Sequence, residues 1–414
     1  MYKRILALVL SLSAFAAVAD NPKFTWTGEA GPLTSGEWTG YYSWKDAGNW
    51  DSAGVPTAGG MTGATAGVYD FTALAPNAKV VCDSGVNHCM GNITFAGDCG
   101  TLEIVSETTD SNIAYVSSAT LIVPAGTKVL WGLNKAAATS DYNPTLTLTG
   151  GGEFRITSTG SYSVFRHRLN ITSNTTLGID SPVADLRTLT IDFQASTAKL
   201  ELGCDVVIGA IMANVHGAGQ VVLNGHSFRL AMGYVPVTDD VWQPGEVTTN
   251  YFKPTGSGSV AYAGGRMFEN LKAQEFTGPL TIENADVSTD FGFPNVTSID
   301  IANSGVLTLG TDQAVAALAG EGATGGLALK EGATFTVNDS AADPATYAAR
   351  LSGAGAFVKD GSNELVLSGE NTLTGPTTVK GGTLTVKGAA AAMEAGTALL
   401  HSYRFEDALT DDAG

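Results

Sequence analysis

From about residue 61 onward, apolar and polar positions alternate in short runs. Thr101 to Val105 reads TLEIV, Thr120 to Val123 TLIV, Thr145 to Thr149 TLTLT, Leu189 to Phe193 LTIDF, Lys199 to Leu202 KLEL and Val306 to Leu309 VLTL. A period of two sends every second side chain to the same face. Each run therefore predicts a short strand with one buried side. Glycine, asparagine and serine separate the runs, as turns require. Helical patterning is confined to three short pieces, expected over Gln313 to Ala319, Pro344 to Leu351 and the alanine-rich Ala389 to Ala395.

The turns also repeat. An apolar residue followed by Gly-x-Gly starts with a one-residue gap at Leu148, Val215, Leu318 and Leu351, at offsets of 67, 103 and 33 residues. These are near multiples of a unit of 33 to 34. FTGPLTI from Phe276 is echoed 97 residues later by LTGPTTV from Leu373. Strand and turn recurring at a near-fixed period predict a solenoid, in which each strand stacks on its equivalent in the next rung. Glycine is expected where the chain bends with positive φ or where backbones approach closely.

Gly353 to Gly388, GAGAFVKDGSNELVLSGENTLTGPTTVKGGTLTVKG, resembles an autotransporter-associated β-strand repeat. The resemblance implies an exported bacterial surface or secreted protein, extracellular or at the outer cell surface or in the periplasm, wound as a right-handed parallel β-helix. Leu365, Leu367, Leu373, Val379, Leu384 and Val386 are its expected inward ladder. The outer-membrane barrel of self-translocating autotransporters does not follow the repeat, so the version found in large barrel-less secreted proteins is expected.

The two ends read differently. Lys3 and Arg4, the apolar run Ile5 to Val18 and Ala17-Val18-Ala19 form a secretory signal peptide over 1–19. The run is too short for a permanent anchor, and no later stretch nears the roughly 20 apolar residues of a membrane helix. Residues 20–60 hold Trp26, Trp38, Trp44 and Trp50, four of six tryptophans, and are expected to cap the first rung of a β-helix over 61–388. The alternative is an aromatic platform on which sugar rings stack. Residues 389–414 form a linker and then LLHSYRFEDALTDDAG, which resembles the first strand of a laminin-G-like, or concanavalin A-like, jelly roll. Such domains often bind glycans. The expected fold is thus all-β, a parallel β-helix with a Trp-rich cap and an incomplete jelly-roll start.

Charge narrows the partners. There are 40 acidic against 22 basic residues, a formal net charge of −18, and no basic cluster suited to phosphates. Nucleic acid is excluded as a partner. Cys82, Cys89, Cys99 and Cys204 would stand in an oxidising compartment, where three disulfide pairings are possible, and their spacing with His88 matches no structural-zinc pattern. Arg166 and Arg168 flank His167 in the densest basic patch. They are either an anion or acidic-sugar site, since guanidinium grips carboxylates bidentately, or an outward strand edge. The acidic pairs Asp239-Asp240 and Asp411-Asp412 read as solvated loops.

No catalytic, cofactor or metal set is expected. The predicted role is a β-helical stalk serving adhesion or display of a binding module. The alternatives are a carbohydrate-binding protein recognising a polysaccharide or cell-surface glycan and, less favoured, a polysaccharide lyase or hydrolase.

Overall fold

In the computed structural model, the described residues are 23–51, 67–82, 88–107, 113–114, 119–132, 145–157, 168–181, 186–212, 219–231, 252–264, 267–268, 271, 274–322, 324–387, 403–406 and 408–411. They form a β-solenoid whose strands pair in parallel from rung to rung. A 19-stranded sheet runs its whole length, joined by a 10-stranded sheet in the first part and by 6-stranded and 4-stranded sheets in the second.

The alternation in the sequence is the cause. Strand Thr127–Gly132 buries every second residue, and Thr145–Thr149 does the same. The inward residues merge into one core extending from Trp26 to Leu384. Predicted strands are found where alternation was clear, with Thr145–Thr149, Lys199–Leu202 and Val306–Leu309 as expected.

Three expectations are corrected. Gln313 to Ala319 and Pro344 to Leu351 are not helical: they contain strands Gln313–Val315, Ala317–Glu321, Ala345–Tyr347 and Arg350–Gly353. Their weak helical propensity is overridden by ladder pairing with neighbouring rungs. The third alanine-rich piece lies outside the described residues. The 33 to 34 residue unit is not the rung. Thr145 pairs with Arg168 and Arg168 with Thr190, and Pro279, Ser298 and Ala317 pair in succession. Rungs are thus commonly 19 to 23 residues long. Leu318 and Leu351, 33 apart in sequence, lie on different sheets. Finally, Val386 is 49% exposed, because among the described residues no full rung stacks beyond its own and Tyr403–Glu406 reaches only Thr383. Leu365, Leu367 and Leu384 are buried, and Leu373 and Val379 pack against the core.

The FTGPLTI and LTGPTTV echo marks two corners of similar close approach that join different sheets, the first between the 10- and 19-stranded sheets and the second between the 6- and 4-stranded ones. A Cβ on Gly278 would lie 1.9 Å from the Gly258 carbonyl oxygen, and one on Gly375 1.9 Å from that of Gly355. No side chain fits where one rung crosses so close beneath another. Turn side chains also stitch rungs together: Asn77 Oδ1 accepts from Thr101 N at 3.0 Å, Asp205 Oδ1 from Ser227 N at 2.8 Å and Asp312 Oδ1 from Thr334 N at 2.8 Å.

Candidate functional surface

The Trp-rich segment is the first rung. Strand Lys23–Thr25 pairs with Gly67–Phe71, and Tyr42–Ser43 pairs with Lys79–Cys82. Trp26, Trp44 and Trp50 are 1%, 0% and 4% exposed. Trp26 and Trp44 each lie 5.0 Å from Trp50 between ring centroids, and Trp50 Nε1 donates to the Trp44 carbonyl at 2.7 Å. Rings of Tyr69 and Phe71 in the next rung complete the cluster. These three indoles close the end of the core and present no open face for stacking.

Trp38 is placed differently. It is only part-buried and sits on a loop tied at its base, where Leu33 N donates to Tyr41 O and Gly40 N to Leu33 O, each at 2.8 Å. It lines an open cleft of about 500 Å³ together with Glu37, Lys45, Asp46 and Glu107.

Arg168 begins strand Arg168–Ile171, and its Nη2 lies 2.5 Å from Oδ2 of the buried Asp192. Its guanidinium is engaged within the protein. Arg166 lies outside the described residues, as do the signal segment and the pair Asp239-Asp240. Cys99 and Cys204 are thiols whose Sγ atoms face backbone carbonyls. Burial, then nearby carboxylates, raises the pKa of both, which favours the thiol over the thiolate. Cys82 is buried at the end of its strand, and only the backbone of Cys89 is described.

Two charged clusters were not visible in the sequence. Arg155, 9% exposed, lies across Gly178 and spans neighbouring rungs. Its Nε and Nη2 grip Asp180 at 2.6 and 2.5 Å, while Nη1 meets Glu153 at 2.5 Å and Glu201 at 3.2 Å. Lys128 adds a 3.2 Å pair to Glu153. The bond to Asp180 is the main reason the guanidinium pKa is raised further, against the opposing effect of burial. The one available signal was Gly178, an isolated glycine inside a strand, which marks close approach by a neighbour. Lys359 is fully buried, its Nζ donating to the carbonyls of Asp360, Gly361 and Gly381 at 2.6, 3.0 and 3.4 Å. Burial lowers its pKa, with Asp339 and Asp360 opposing. Both clusters tie rungs together. Among the described residues, no group of three or more His, Cys, Asp or Glu residues is placed to hold a metal, and no helix is long and apolar enough to cross a membrane.

Fold and surface together define a β-helical stalk. Residues 357–386 match the passenger-associated-transport-repeat, which falls on the parallel rungs nearest Leu384 among the described residues. The chain is also similar to the adhesin BmaC autotransporter of Brucella suis biovar 1 (strain 1330), with 27% identity over 238 residues, 55% of this chain and 6% of that protein. It thus spans a small part of that relative's length. No solved structure matches. The chain carries an autotransporter-associated repeat on an exported, cell-surface β-helical passenger segment.

Proposed function

We propose that this segment serves adhesion, as a non-enzymatic stalk that contributes to binding surface or host molecules. The observation carrying the proposal is the uninterrupted core from Trp26 to Leu384, with a transport repeat over its final rungs. Rungs about 4.8 Å apart make a rod on the order of 70 Å long, suited to holding a binding element away from a cell. The adhesin relative supports the same reading. At the C-terminal end, Tyr403–Glu406 and Ala408–Asp411 pair antiparallel in a chain whose rungs pair in parallel. That contrast supports a second module beginning there, with the jelly-roll start as its proposed identity.

The test is adherence of inert beads coated with the purified chain to cultured cells and to immobilised extracellular matrix. Saturable binding, competed by free chain, is expected. Beads that adhere no better than albumin-coated controls would overturn the adhesive role.

A further inference from the structure

We infer that the cleft beside Trp38 is a carbohydrate site that takes neutral or amino-sugar chains and rejects acidic ones. The inference rests on the adhesive reading for its biological use and on the cleft's own chemistry for its ligand.

The cleft is a preorganised feature of the first rungs. The loop from Leu33 to Tyr41 is closed by its two base hydrogen bonds, and Tyr41 N donates to Trp38 O at 3.0 Å. Thr39 Oγ1 donates to Gly36 O at 2.7 Å. Gly36 and Gly40 have φ of 89° and 87°, so glycine permits both bends. Tyr41 packs edge-on to the Trp38 ring at 5.2 Å between centroids. The loop is therefore ordered before any ligand arrives, which lowers the entropic cost of binding.

The opposite wall comes from the solenoid. Ser43, Lys45 and Asp46 lie at and just after strand Tyr42–Ser43, and Glu107 follows strand Gly100–Ser106. Asp46 is held in place by accepting from Gly48 N at 2.9 Å. The volume of about 500 Å³ falls within the roughly 300–1,000 Å³ of small-ligand sites.

The lining specifies the ligand. Trp38 Nε1 is hidden from solvent and has no acceptor among the described residues, so the indole offers ring carbon to the cleft. Ring carbon beside hydroxyl and carboxylate acceptors matches a pyranose, which is apolar on its C–H face and edged with hydroxyl donors. Among the described lining residues, Glu37, Asp46 and Glu107 are exposed carboxylates set against the single cation Lys45. That local excess, within a chain of charge −18, repels uronates and sialic acids and tolerates neutral or cationic sugars.

The test measures binding of chitotriose, mannotriose, sialyllactose and trigalacturonate to the full chain, alongside adhesion of coated beads. Wild type is expected to bind a neutral oligosaccharide and neither acidic one. Trp38→Ala should weaken that binding at least about tenfold, and Trp38→Phe, which keeps a ring, should weaken it less. Glu37→Lys combined with Glu107→Lys should shift preference toward the acidic sugars and leaves the aromatic loop intact. Failure of wild type to bind any neutral oligosaccharide, or undiminished binding by a folded Trp38→Ala chain, overturns the cleft assignment. If those beads still adhere, the adhesive reading survives alone. Sugar binding through Trp38 by beads that adhere to nothing upholds the site and overturns adhesion.

Discussion

Gly178 sits mid-strand because the Arg155 side chain occupies the space where its Cβ would go, with Cγ and Cζ each 2.6 Å away. Gly178→Ala is therefore expected to displace the guanidinium and cost about 1–3 kcal/mol, the usual range for overpacking. Arg155→Leu removes the cation shared by Glu153, Asp180 and Glu201, and should cost about 3–5 kcal/mol as a broken, largely buried ion pair. Urea denaturation of both variants checks the ordering, and wild-type stability in either would contradict the clamp. Asp300 shows the opposite electrostatics. Asp300 is exposed on its strand, yet desolvation by the groups around it first, then Glu321 and Glu283, raise its pKa. A folded-state pKa above the unfolded value leaves stability intact below the ordinary carboxylate pKa and reduces it as pH rises through the folded one. Asp300→Asn should then raise the melting temperature slightly at pH 7 and not at pH 3, since screened surface repulsion is worth at most ~1 kcal/mol. Equal gains at both values would rule out charge as the cause.

At the scale of strands and rungs, Pro279, Ser298 and Ala317 pair in succession at intervals of 19 residues. Excising residues 298–316 removes one rung and lets Ala317 take the place of Ser298 opposite Pro279. The shortened chain is expected to keep a strand-rich circular dichroism spectrum and a cooperative melt. Removing nine residues from the same start should not, because it breaks register and sends the inward set of the following strand to the outside. Loss of folding in both would argue against interchangeable rungs. Strands such as Thr145–Thr149 were readable because alternation is a local signal. The rung length was not, because similar Gly-rich turns recur on different sheets and mimic a longer period. Strands Ala317–Glu321 and Ala345–Tyr347 were missed since alanine-rich pieces take their conformation from neighbouring rungs. The Arg155 clamp was hidden because its partners Asp180 and Glu201 lie 25 and 46 residues away. Of the four tryptophans, position in sequence could not separate the three that seal the core from Trp38 on the cleft, because only the fold decides which indole faces outward.

Across the whole molecule, one ladder is continuous and different ones accompany it among the described residues. Among the described residues, the 19-stranded sheet is accompanied by the 10-stranded sheet as far as Thr277, by the 6-stranded sheet from Met267 and by the 4-stranded sheet from Gln313. From Gln313 to Val379 the long sheet runs beside two others. Backbone hydrogen bonds in this fold point along the axis, so tension applied between the ends loads all ladders of a rung in parallel. Pulled in a single-molecule tether, the solenoid should therefore give way at a force well above that of a single loaded ladder, and gradual release of length at low force would refute this reading. Under flow or shear, the rod would therefore behave as a stiff spacer that keeps its length, because no rung can leave its neighbour without breaking all of their shared ladders at once.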